Sequence, residues 1–221
     1  MPEVNKIIRS RRKTIALIIE GDGSLIVRAP LRASEKTIRE LVVQKAAWIA
    51  RAQAKIRQNL PAERRFVEGE SLPLMGRNYP LKIVQTQRAS LTFENGTFLL
   101  AQKAQPHARE AFGLWYKKMA ANLLPARLEA LAEKHGLRPK KVRISSARTR
   151  WGSCSTSGTI SLTWRLVMAP PEVIDYVIVH ELAHIKVKNH SKNFWNLVAS
   201  LMPDYKKHLG WLKMHGRSLE L

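Results

Sequence analysis

One stretch constrains this chain more than any other: Val177-Ile178-Val179-His180-Glu181-Leu182-Ala183-His184. Two histidines at i and i+4 lie about 5–6 Å apart on one helix face, so both imidazoles reach a single ion. The glutamate between them is angled to hold a water instead of ligating. This H-E-x-x-H spacing predicts a helix over about Glu172 to Lys188, seated in the core by its apolar residues, with Glu181 as general base and zinc as the cofactor.

A catalytic zinc takes three protein ligands and keeps one position open. His190 is the favoured third ligand. It follows His184 by six residues, too far to share the same face of a continuous helix, so the helix must stop in between. Asn189 suits a left-handed C-terminal position and Ser191 suits the N-cap of the next helix, a turn that swings His190 back toward the metal. The alternatives downstream are the acids Asp204 and Glu220, of which Asp204 follows Pro203 and reads as a helix-start residue. Val187 stands where metzincins place glycine, so that class is excluded. For the oxyanion or the substrate, the candidate contacts are Arg148, Arg150, Tyr205 and His208.

Charge bears on partners. Lys and Arg number 38 against 17 Asp and Glu, a formal +21, so DNA or another polyanion is a candidate partner. Cys154 stands alone, which excludes an internal disulfide and a multi-cysteine metal site and fits a reducing, cytoplasmic setting. The apolar run Ile15 to Ile19 is too short for a signal segment and reads as a strand; no stretch suits a membrane span.

The remaining pattern is mixed. Lys13 to Glu20 and Ser24 to Ala29 read as strands joined at Gly21-Asp22-Gly23, with Pro30 closing the second. A single long amphipathic helix is expected from the N-cap Ser34 to about Asn59, ended by Pro61. Strands follow at Leu81 to Val84, Ser90 to Phe93 and Thr97 to Leu100, the last two joined at Asn95-Gly96. A second long helix spans about Pro106 to His135 and stops at Gly136. After the acid-free basic stretch Lys140 to Arg150 comes a strand, Thr159 to Leu166, expected to offer an edge to a peptide. Helices at Ser191 to Leu201 and Tyr205 to Lys213 end the chain. Trp48, Trp115, Trp195 and Trp211 are expected in the core.

Arg148-Thr149-Arg150-Trp151-Gly152-Ser153-Cys154, Ile160 to Leu166, His180 to His184, Asn189-His190-Ser191 and Phe194-Trp195 together resemble the YgjP-like metallopeptidase family. Arg28-Ala29-Pro30, Trp48-Ile49 and Met202 to Tyr205 are similar to its pattern too, so nearly the whole chain is covered. Thr163 departs from the asparagine common before that tryptophan. The resemblance implies a small gluzincin-like fold with a few-stranded sheet on the H-E-x-x-H helix and His190 as third ligand. It also implies kinship with the WLM and SprT-like proteases, which act on proteins crosslinked to DNA. The expected architecture is α+β, with a β-rich lobe carrying one long helix at 1–104 and a zincin-like catalytic domain at 105–221. The expected function is a zinc-dependent hydrolase, first a metallopeptidase acting on peptide or protein. The alternatives are a metal-dependent nucleotide pyrophosphatase or phosphohydrolase, with Lys140 to Arg150 on the phosphates, and a nucleic-acid-associated binding module.

Overall fold

A computed structural model describes residues 2–20, 23–58 and 64–221. The Gly21-Asp22 turn and the stop at Pro61 lie outside the described residues. The chain forms two compact units, Met1–Ala62 and Glu63–Leu221.

In the first unit, β1 (Lys6–Ser10), β2 (Ala16–Ile19) and β3 (Leu25–Pro30) form a sheet in the order β1-β3-β2. Strand β3 alternates, burying Leu25, Val27 and Ala29 on one face. Ile38 and Val42, one turn apart on α1 (Glu35–Gln44), and Ile49 on α2 (Ala46–Gln58) complete that core. Ser34 caps α1, its hydroxyl accepting from the Thr37 amide at 3.1 Å. The expected single helix is two, because Lys45 leaves helical geometry at φ −97° and ψ 9°. Trp48, expected in the core, is 44% exposed.

The second unit begins with β4 (Ser71–Leu74), β5 (Arg77–Val84), β6 (Leu91–Glu94) and β7 (Thr97–Ala101), ordered β4-β5-β7-β6. Asn95 and Gly96 both have positive φ, 47° and 74°, as a tight hairpin turn requires. This sheet packs on α3 (Ala108–Lys134), whose buried residues fall at every fourth position: Phe112, Tyr116, Ala120, Leu124, Leu128 and Ala132. Four residues turn an α-helix through about 400°, so the buried stripe winds by roughly 40° per step. One helix thus packs against both this sheet and the later elements. Phe66, Phe98, Phe112, Trp115 and Tyr116 form one aromatic cluster between sheet and helix. That shared core puts residues 64–104 with the C-terminal unit, so the division falls at 62/63 and not at 104/105.

Next come β8 (Lys141–Ser145), β9 (Gly152–Cys154) and β10 (Thr159–Thr163), then α4 (Pro171–Lys186), α5 (Lys192–Leu201) and α6 (Tyr205–His215). The order is β8-β10-β9, so β10 is the central strand and has no edge to offer. The edges belong to β8 and β9, and β9 packs with β10 on α4. The unexpected strand β8 runs parallel to β10. Arg127 of α3 donates from Nε and Nη2 to both carboxylate oxygens of Asp175 on α4, at 2.5 and 2.9 Å. Among the described residues no helix is long and apolar enough to cross a membrane.

The β4–β5 turn holds the start of α4. Met75 and Gly76 donate their amides to Val167 O and Met168 O, at 2.8 and 3.1 Å. A Cβ on Gly76 would meet Pro170 at 2.8 Å, and its φ is +76°. Left-handed geometry costs a non-glycine residue about 1–2 kcal/mol and overpacking about 1–3 more. Gly76→Ala is therefore expected to destabilise the protein by about 2–5 kcal/mol, read as a lower urea midpoint at unchanged slope.

Candidate metal centre

Helix α4 is buried on most sides, with Pro171 at its first position and Val173, Ile174, Tyr176 to Val179 and Leu182 in the core. The ring centroids of His180 and His184, one turn apart, are separated by 5.1 Å. The helix ends when Val187 turns extended, at φ −125° and ψ 109°, its amide still donating to Ala183 O. Asn189 is not left-handed; among the described non-glycine residues only Phe66, Met75 and Asn95 have positive φ. It acts through its side chain instead, Oδ1 accepting from the Ser191 amide at 3.3 Å. Ser191 occupies the N-cap of α5 without a side-chain capping bond. The turn brings His190 Nε2 to 3.0 Å from His180 Nε2 and 3.2 Å from His184 Nε2.

The donor set suits a cation. His184 Nδ1 lies 2.9 Å from Val187 O. A carbonyl only accepts, so Nδ1 carries the proton and Nε2 turns its lone pair toward the other two rings. Burial, then the charges of His184 and His190, push His180 down to about 4, so its ring stays neutral as a ligand must. The three rings place their donor atoms within 4.8 Å of one another. Nitrogens at about 2.0–2.1 Å from a tetrahedral zinc stand roughly 3.4 Å apart, close to the observed separations. Phe194 of α5, fully buried, stacks on His184 at 4.4 Å and meets the edges of His180 and His190 at 4.9 and 4.8 Å. It fixes all three rings from below.

Glu181 is 5% exposed and flanks a cavity of about 380 Å³ shared with His180. Burial pushes its carboxyl up to about 7 against the opposing pull of Arg150. A cation beside it would draw it down again. Trp151, Tyr176, Leu209, Leu212 and Lys213 also line the cavity. The Glu181 carboxylate rests on Gly152 of β9 so closely that a Cβ there would lie 2.6 Å from Cγ and Oε1.

The YgjP-like metallopeptidase domain matches residues 13–215, which span the histidines, Glu181 and both units. The chain belongs to the YgjP-like metallopeptidase family. The metallopeptidase zymogen of Pyrococcus abyssi abylysin is similar at 27% identity, covering 42% of this chain and 95% of that one, with a TM-score of 0.37. That of Methanocaldococcus jannaschii jannalysin is similar at 20% identity, covering 41% and 93%, also at 0.37. No curated protein matches.

Within this YgjP-like chain the residues named from sequence scatter. Arg150 acts electrostatically on Glu181, whereas Arg148 lines a separate cavity with Trp164 and Arg165. Tyr205, 8% exposed, stacks on Tyr176 and Trp195 at 6.4 and 5.5 Å. His208 is buried and spends Nε2 on Asp204 at 3.0 Å, so neither faces the three histidines. Glu220 lines the same separate cavity as Arg148.

Sequence reasoning missed Tyr176, though it stands one turn before His180 on the same face. Its ring meets His180 at 6.0 Å, and burial, then Tyr205 and Glu181, raise its hydroxyl to about 12, leaving a donor at the cavity. Gly152 was missed as well, since nothing local marks it as the floor under Glu181. Gly152→Ala is expected to lower kcat about 10-fold or more by shifting that carboxylate, with metal content unchanged by elemental analysis. Equal kcat would show that the contact is immaterial.

Proposed function

We propose that the protein is a zinc-dependent metallopeptidase of gluzincin-like build, with His180, His184 and His190 as ligands and Glu181 as general base. The observation that carries the reading is the convergence of three imidazole nitrogens beside a buried carboxylate at an open cavity. Zinc held there would supply a Lewis acid that acidifies water and polarises a carbonyl.

Glu181 takes the proton of the attacking water and returns it to the leaving amine. Arg150 and the Tyr176 hydroxyl are candidates to steady developing negative charge. The open edge of β9 offers backbone groups to an extended peptide, and because Gly152 both starts β9 and underlies Glu181, such a strand would pass the carboxylate. Trp151, Val177, Leu209 and Leu212 make the adjoining wall apolar, which suits a side chain better than a triphosphate.

The test is a screen of zinc-loaded protein on unfolded proteins and peptide libraries, with nucleoside triphosphates in parallel. Peptide-bond cleavage is expected. Intact peptides together with pyrophosphate release would overturn the reading in favour of a phosphohydrolase.

A further inference from the structure

A second cavity, of about 480 Å³, shares no wall residue with the one beside Glu181. Four cations, Arg109, Lys117, Arg148 and Arg165, face it against two acids, Glu110 and Glu220. Arg109 is engaged, donating to Leu221 O. Arg148 and Lys117 make no ion pair among the described residues.

Two of its residues leave hydrogen-bond donors unused. Trp164 and Arg165, 4% and 7% exposed, carry buried Trp164 Nε1 and Arg165 Nε without a partner among the described residues. Arg165 spends only Nη1, on Ser146 O at 3.2 Å and Ala147 O at 3.4 Å. Buried donors left unpaired are costly. Burial, opposed by Glu220 and reinforced by Arg148, also pulls the Arg165 guanidinium below its ordinary range, so like charges face each other at an enclosed wall. An anion between the guanidinium groups would offset that repulsion.

We propose that this cavity binds a phosphate group, held by Arg148, Lys117 and the Arg165 side chain, separately from the metal centre. The geometry favours the phosphate over any attached base. Trp164 is covered by the Arg165 guanidinium at 4.4 Å and stacked by Tyr116 at 6.1 Å, leaving no aromatic face for stacking. Charge-assisted bonds from planar guanidinium donors suit tetrahedral oxyanions.

The test titrates the full-length protein with inorganic phosphate while the Trp164 indole and Arg165 Nε–H resonances are followed by heteronuclear NMR. Saturable shifts are expected for phosphate and not for chloride at equal ionic strength. Arg148→Gln, at a site away from the core, is expected to weaken binding by about 10-fold or more. His190→Ala is expected to leave it unchanged, which separates this cavity from the metal centre. A nucleoside monophosphate is expected to bind about as well as phosphate. The proposal is overturned if chloride reproduces the shifts, if Arg148→Gln binds normally, if His190→Ala abolishes binding or if the nucleotide is strongly preferred.

Discussion

Glu181→Gln is expected to lower kcat for peptide hydrolysis by about 10³-fold, within the range of 10²–10⁴ that a positioned general base contributes. The amide has the shape of the carboxylate and fits over Gly152, where the side chain is confined to van der Waals contact with the backbone of β9. It donates and accepts hydrogen bonds but takes no proton from water at neutral pH. Folding and the three imidazoles are untouched, so metal content and Tm should match wild type. KM should change little, because the interaction removed is made chiefly in the transition state. A Gln variant that retained full activity would remove Glu181 from the mechanism, and one that lost its metal would make it a structural support for the site.

His190→Ala is expected to abolish activity by emptying the site. Changes outside the ligand set already cost 10–100-fold in metal affinity, so removing one of three ligands should exceed about 100-fold. His190 is the informative ligand to remove because it is exposed, on the turn after α4, whereas His184 is buried and also bonds Val187 O. A bound metal at 100 times its Kd stabilises the folded state by about 2.7 kcal/mol. For a chain of this size that is roughly 5–10 °C in Tm. A chelator should therefore lower the Tm of wild type by that amount and leave His190→Ala unmoved. Retained stoichiometric metal in His190→Ala, with loss in Asp204→Ala, would transfer the third ligand to the acid that pairs with His208.

What could be read in the sequence was local. The pairing of His180 with His184 needs only one helical turn, and the Asn95-Gly96 hairpin needs only two residues with positive φ. Even His190 followed from counting residues past a helix end, although the turn uses the Asn189 side chain in place of a left-handed backbone. Strands β1 and β8 escaped notice because each is rich in basic residues and exists through a parallel partner far along the chain, β3 and β10. The same non-local pairing put β10 in the middle of its sheet and left β8 and β9 at the edges.

The sequence by itself therefore determined the helix and the clustering of the three histidines beside the glutamate, because a group built on i, i+4 spacing and one turn is encoded within eleven residues, 180–190. Tertiary structure decided everything that surrounds them. It set Gly152 beneath Glu181, brought Trp151 and Lys213 to the cavity and kept Arg150 near while sending Arg148 elsewhere. These contacts join residues distant in the chain, and their geometry is fixed by which sheet packs on which helix, a choice that no local pattern carries.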